Sequence, residues 1–327
     1  MKFAKASWEK SSSDIPLSQT LLSRMVAPLF PNKKIESFDL LSPGLANTNI
    51  RFKVSNLDEY FVLRIYARNQ NALTQELLLS KLLKNLVPLP EFLYAGKNLS
   101  DQVYAIQRWI KGKPMYMLFN KISLSEVQIV AQEVAKALAN IASHTFPKGG
   151  FFKDSLDIVA FESPENQHPF VTYIKHCLFE QYSGKWLGEE FAERIWKFIL
   201  EHQSSFPSQE PACLVHGDFN LDNILIDENT FKVAGILDWE FAFSGSYLFD
   251  IGTLFRFEVP KPFEEYFIET YQVEANMTFP DTWHKMIKLQ DLSNLIGLLN
   301  TPHECPNRIH DIKILIEEIL TIFPILH

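Results

Sequence analysis

Residues 214–250 read LVHGDFNLDNILIDENTFKVAGILDWEFAFSGSYLFD, and this stretch restricts the rest of the chain more than any other. Two short apolar runs, residues 223–226 and 231–237, flank Asp227, Glu228, Asn229 and Thr230, a turn-forming tetrad, so a tight hairpin is predicted. Asp218 lies five residues before Asn223 on a loop that leads into the hairpin, and Asp238 follows its second strand. If the hairpin forms, Asn223 and Asp238 become neighbours at its open end. Asp and Asn are common turn residues for local hydrogen-bonding reasons. Three of them held in register by two apolar strands exceed what turns require.

These three side chains make a reactive set. A carboxylate at Asp218 can orient and deprotonate an alcohol. Asn223 offers a neutral oxygen and Asp238 a charged one, and magnesium takes one or two carboxylates plus phosphate oxygens while keeping several waters. Phosphoryl transfer from a nucleotide needs such a proton acceptor and two such oxygen ligands. His216 precedes them; it can brace the loop by hydrogen bonding or take part in proton transfer.

The remainder divides in two. A chain of 327 residues exceeds what one core usually holds, so two lobes are expected, residues 1–110 and 111–327. In the first, residues 50–54 (IRFKV) and 60–66 (YFVLRIY) predict a strand pair, residues 74–85 a helix with Leu77, Leu78, Leu82 and Leu83 on one face, and residues 91–95 and 103–110 a second strand pair. Beyond Gly112 the pattern turns helical. Ser123 and Glu126 form a capping box ahead of Val127, Val130, Val134, Leu138 and Ile141. Further helices are predicted over 169–183, 188–203, 285–299 and 309–322, with the 223–237 hairpin the only later strand signal. The fold class is α+β: a small antiparallel sheet with one helix, then a larger and mainly helical lobe.

Composition excludes several functions. With 31 basic and 39 acidic residues the net charge is −8, which argues against a nucleic-acid partner and is compatible with a cationic small molecule. Cys177, Cys213 and Cys305 show no CxxC spacing, and His303, Cys305 and His310 fit no zinc pattern, so a reducing, cytoplasmic setting is expected. The first residues lack the apolar core of a secretory signal and no run of eighteen apolar residues occurs, so no membrane partner is expected. The sequence carries no signal for an oligomeric state.

HGDFNLDN followed by ILDWEFAFSGSYLFD closely resembles the aminoglycoside phosphotransferase and choline kinase superfamily, small-molecule relatives of the protein kinases. The likeness extends over roughly residues 35–300. It implies a bilobal kinase-like fold, ATP or GTP as donor and Mg2+ as cofactor. It makes Asp218 the catalytic base, Asn223 and Asp238 the metal ligands, and Asp250 a brace of the catalytic loop, although a carboxylate at a helix amino terminus is an equally physical reading of Asp250. Arg64 falls where kinases place the strand cation that grips the nucleotide phosphates, and Glu76 is placed to pair with it. Arginine replaces the more usual lysine and gives a planar fork; a surface salt bridge is the competing reading. Residues 41–49 (LSPGLANTN) occupy the position of the nucleotide-covering turn, with Gly44 its only glycine, amides from Ala46 to Thr48 available to phosphate, and Asn47 placed to hold the turn. Gln107, Trp109 and Ile110 belong to the inter-lobe strand whose backbone would meet the base.

Residues 239–247 leave no room for the long activation segment of protein kinases, so the expected acceptor is a small alcohol. Residues 170–182 and 285–299 are expected to wall it, with Glu240, Asp291 and Glu304 as carboxylates for a cationic acceptor, or with an aromatic wall for a quaternary ammonium. The VLRIY and DWEFA segments lean toward choline kinase and HGDF toward the antibiotic kinases; homoserine and modified sugars are further acceptors of such enzymes. A pseudokinase that binds nucleotide without reacting is the non-enzymatic alternative.

Overall fold

The computed structural model describes residues 8–9, 18–41, 47–67, 69–153, 155–165 and 167–323. Gly44 and Ala46 of the expected nucleotide-covering turn lie outside them. The fold is α+β and bilobal.

Helix α1 (Gln19–Val26) precedes five strands, β1 (Ile35–Leu40), β2 (Thr48–Val54), β3 (Tyr60–Ile65), β4 (Phe92–Lys97) and β5 (Val103–Arg108), with helix α2 (Ala72–Leu82) between β3 and β4. The strands form one antiparallel sheet in the order β1-β2-β3-β5-β4. Alternation in β2 points Ile50, Phe52 and Val54 into a core with Phe61, Leu63, Ile65 and Ile106, covered by Leu22, Met25 and Val26 of α1. Tyr66, Leu73, Val103 and Ala105 pack near α2 in a separate cluster.

Two elements escaped the sequence reading. Strand β1 buries only Ile35, so no period-two pattern marks it. In α1 the signal is a cap: Ser18 accepts a hydrogen bond from the Leu21 amide at 3.1 Å. The inward face of α2 also differs from the expected leucine face. Ala72, Leu73, Glu76 and Leu79 are its buried residues, whereas Leu82 is 37 % exposed. Leu83, just past its end, is buried, and Glu76 shares the inward face, from which it meets Arg64.

In the second half, helix α3 (Leu124–Ala142) starts at the expected capping box. The Ser123 amide donates to Glu126 Oε2 at 2.6 Å and the Ser123 side chain accepts from the Glu126 amide. Val127, Val130, Val134, Leu138 and Ile141 are all buried. Helices α4 (Pro169–Phe179), α5 (Ser183–Leu187), α6 (Glu189–His202), α7 (Leu248–Leu254), α8 (Lys261–Glu274), α9 (Trp283–Leu298) and α10 (Pro306–Ile322) complete the helical part. None of the described helices is long and apolar enough to cross a membrane.

The expectation of a single late hairpin is corrected. The hairpin exists as β11 (Ile224–Ile226) and β12 (Val233–Ile236), joined by β6 (Lys113–Pro114). A second five-stranded antiparallel sheet also lies in this half: β7 (Thr145–Phe146), β8 (Gly150–Phe152), β9 (Ile158–Ala160), β10 (Ala212–Val215) and β13 (Phe243–Gly245), in the order β7-β10-β13-β8-β9. Strands of two to four residues are too short to display a period of two, so the sequence pattern does not reveal them.

Candidate active site

Strand β10 ends at Val215, and the loop that follows is held by Asp250 from α7. The amides of His216 and Gly217 donate to Asp250 Oδ2 and Oδ1 at 2.6 and 3.0 Å. Burial pushes this carboxyl up to about 7, against the two amides that hold it down. Gly217 has φ +82° and passes so close to the helical turn Trp239–Phe241 that a Cβ would stand 2.2 Å from the Phe241 carbonyl oxygen. Only glycine fits both demands. His216 is fully buried, and its Nδ1 accepts from the Asp218 amide at 3.2 Å while its Nε2 lies 2.9 Å from the Leu237 carbonyl oxygen. That carbonyl can only accept, so the ring is fixed with its proton on Nε2. Both nitrogens are thus occupied in tying the loop to the hairpin.

The loop presents Asp218 half-buried, with each carboxylate oxygen held by a different amide. Asn220 Nδ2 donates to Oδ1 at 2.7 Å and Asn223 Nδ2 to Oδ2 at 2.8 Å. Committing Nδ2 of Asn223 to Asp218 reserves its Oδ1 as an acceptor. Across the hairpin, the Leu237 amide donates to the Asn223 carbonyl at 2.9 Å, which brings Asp238 beside Asn223. Asp238 itself adopts a left-handed backbone, φ 67° and ψ 63°, a conformation that aspartate tolerates better than most residues.

Arg64, 7 % exposed, faces three carboxylates through Nη2: Asp238 at 2.5 Å, Glu76 at 3.1 Å and Glu240 at 3.7 Å. Tyr66 donates to Glu76 at 2.5 Å. Burial raises Glu76 while Arg64 pulls it down, and burial reinforced by Asp238 pushes Glu240 up to about 8. One cation thus meets an excess of carboxylates. Gln75 Nε2 adds hydrogen bonds to the Trp239 and Ala242 carbonyls, both at 3.1 Å, fastening α2 to the segment after Asp238.

Asp218, Asn223, Asp238, Arg64, Glu76, Gln107, Trp109 and Ile110 all line one cleft of about 1350 Å³ between the first sheet and the helical part. Gly44 is outside the described residues. Asn47 Nδ2 donates to Glu240 at 2.8 Å, a partner that a buried carboxyl requires. Arg64 Nε and Asn47 Oδ1 are buried and make no hydrogen bond among the described residues, so the site keeps polar capacity for a ligand. No cluster of three His, Cys, Asp or Glu side chains suited to a metal ion occurs among the described residues. Asn223 and Asp238 therefore fit magnesium only when phosphate oxygens complete its shell.

The expected acceptor carboxylates are corrected. Asp291 is consumed in a buried ion pair with Arg256 at 2.6 Å, Glu240 belongs to the Arg64 cluster, and Glu304 lies outside the cleft. Tyr66, Gln75 and Asn220 were not singled out in the sequence. Asn220 lay inside the quoted motif, whereas Tyr66 and Gln75 carry no signal short of the fold.

A family profile described as "Phosphotransferase enzyme family" matches residues 38–288. Among solved structures, the aminoglycoside phosphotransferase APH(4)-Ia superposes with a TM-score of 0.69 at 16% identity, covering 93% of this chain and 99% of that one. The GDP and kanamycin complex of APH(2")-IIIa gives 0.68 at 18%, covering 92% and 98%. Among curated proteins, mouse (Mus musculus) acyl-CoA dehydrogenase family member 11 is 44% identical over 65 residues, which is 20% of this chain and 8% of that protein. The rat (Rattus norvegicus) counterpart is 44% identical over 50 residues, 15% and 6%. The chain thus matches only a small fraction of these relatives' length.

Proposed function

The chain belongs to the phosphotransferase enzyme family, and on that premise we propose that it moves the γ-phosphate of ATP or GTP onto the hydroxyl of a small molecule. The observation that carries the reading is the joint placement of Asp218, its two amide donors, and the Arg64–Glu76–Asp238 cluster on one cleft.

Asp218 takes the proton of the acceptor hydroxyl as the oxygen attacks the phosphorus and the nucleoside diphosphate leaves. Asn220 and Asn223 fix the carboxylate so that it need not reorganise. Arg64 grips the nucleotide phosphates, with Glu76 and Tyr66 setting the plane of its fork. Asn223 and Asp238 would hold magnesium, which would supply charge neutralisation on the phosphates. Asp250 and His216 keep the loop in shape and touch no reacting atom. Solved proteins of this fold carry nucleotides: GDP with kanamycin in one, AMP-PNP with hygromycin B in another.

One observation favours a second reading, a nucleotide binder that does not react: Asp238 is already engaged by Arg64 at 2.5 Å. A single experiment separates the two. ADP release with magnesium and a panel of alcohols is expected from the wild type. In Asp218→Ala it should fall by about 10³-fold or more, with Mg-ATP affinity by calorimetry nearly unchanged. Release that survives the substitution sinks the phosphotransferase assignment of Asp218, and no transfer by the wild type to any acceptor restores the pure binder.

A further inference from the structure

The cleft has a second end that the phosphate chemistry does not use. Strand β10 delivers the Asp218 loop, and beside it the strands run β13, β8, β9. The register sets Val215 opposite Phe243, Phe243 opposite Phe151, and Phe151 opposite Val159. Directly paired residues share a face of a sheet, so this row leads sideways from the foot of the Asp218 loop over three strand spacings, about 14 Å. Phe161 closes on it, with ring centroids 5.1 Å from Phe151 and 5.9 Å from Phe243, and Phe249 meets Phe243 at 5.0 Å. Phe151, Val159, Phe161, Phe243 and Phe249 all line the cleft.

Part of this wall is open. Phe151 is 57 % exposed, Val159 40 %, and Tyr173 and Phe241, which line the same cleft, 38 % each. Apolar side chains scattered singly over a surface need no explanation; several converging on one concave site do. Charge at this end is sparse. Among the described residues of this row and its surroundings, Glu162, His176, His303 and Arg308 line the cleft beside the rings, and Asp218 and Asp222 stand at its catalytic edge. Asp291 and Glu240, which would have held a polycation, are committed elsewhere.

We propose that the acceptor is an alcohol with an extended apolar body, laid along the Phe243–Phe151–Val159 row with its hydroxyl at Asp218, and not a polyamine sugar. The inference rests on the phosphotransferase reading of the same cleft. On the row itself a desolvated cation meets ring and branched carbon, whereas each methylene laid on it leaves water for apolar contact.

The test uses the full chain with Mg-ATP and a series of straight-chain alcohols, butanol, hexanol, octanol and decanol, beside choline, kanamycin and hygromycin B. Specificity, kcat/KM from ADP release, should rise about fourfold per added methylene until the chain outgrows the wall. Phe151→Asp and Val159→Lys, both at exposed positions, should each raise KM for octanol at least tenfold while Mg-ATP affinity stays within twofold. Saturation-transfer NMR from protein to octanol reads binding without turnover. Octanol that binds and is displaced by either substitution, but is never phosphorylated, leaves the apolar site standing and removes the phosphotransferase reading. Preference for choline or an aminoglycoside, indifference to chain length, or octanol binding unaltered in both variants overturns the apolar acceptor.

Discussion

The two ends of the cleft are built on opposite physical terms. At the nucleotide end the buried charges are tied together: Arg64 touches Glu76, Asp238 and Glu240, Tyr66 holds Glu76, and Asn47 holds Glu240. Along the Phe243–Phe151–Val159 row of the acceptor end the lining is ring and branched carbon, with exposure reaching 57 % at Phe151. Buried charges are costly unless paired, so the first end tolerates little change. Apolar surface is non-directional, so the second can be re-shaped to a different alcohol at little cost in stability. Chemistry that must stay constant sits on the rigid side, and the choice of acceptor sits on the permissive one.

The largest effect expected from this contrast follows removal of Arg64. In Arg64→Met three carboxylates remain without their cation, and breaking a buried pair in this way costs about 3–5 kcal/mol. Phe151→Ala, at a position exposed to the cleft, should change stability by less than about 0.5 kcal/mol. Urea unfolding of the two variants side by side checks the comparison. Equal losses would mean that the two ends are mechanically alike and that the division drawn between them is wrong.

The same contrast decides what could be read in the sequence. Asp218, Asn223 and Asp238 stand out in the sequence because three such side chains at fixed spacing around two apolar strands exceed what turns need, whereas Arg64 and Glu76 are marked by the resemblance to small-molecule kinases. The α3 capping box was legible for a similar reason: Ser123 and Glu126 satisfy donors that any helix start leaves open. Phe151, Phe161, Phe243 and Phe249 gave no such signal, since a buried ring and a cleft-lining ring look identical in one dimension. Their sheet was also hidden, because its strands are two to four residues long. The sequence reading placed acceptor carboxylates at Glu240 and Asp291, but burial had already assigned each a structural partner.

A smaller effect tests whether the loop joining the two ends depends on one ionisation. Burial pushes Asp250 up to about 7, above the ordinary carboxylate value of 3.8, so the folded chain holds this proton more tightly than the unfolded one. Ionisation of Asp250 therefore leaves stability untouched below about pH 4, erodes it as pH rises toward 7, and exerts its full cost above. Asp250→Asn removes that slope. The stability of wild type minus variant should decline from pH 4 to 7 and then level, measured by urea unfolding. Turnover runs the other way. Only the ionised carboxylate accepts fully from both the His216 and Gly217 amides, so wild-type kcat should fall as pH drops below about 7. The variant, with one good acceptor, should be about tenfold slower and flat across that window. A stability difference independent of pH would remove Asp250 from this role.

The smallest effect separates fastening from chemistry at the nucleotide end. Gln75 touches no expected reacting group; it donates to the Trp239 and Ala242 carbonyls and so ties α2, which carries Glu76, to the turn that carries Asp238. In Gln75→Ala two partly buried carbonyls lose a donor, which costs about 1 kcal/mol. Because Glu76 and Asp238 both hold Arg64, loosening this tie should lower Mg-ATP affinity severalfold without altering KM for the acceptor, whose wall lies on β13, β8 and β9. Calorimetry with Mg-ATP, set beside acceptor KM from ADP release, measures both. A change in acceptor KM as large as the change in nucleotide affinity would show that the charged and apolar ends move as one body, and that the permissive wall is not independent of the rigid cluster.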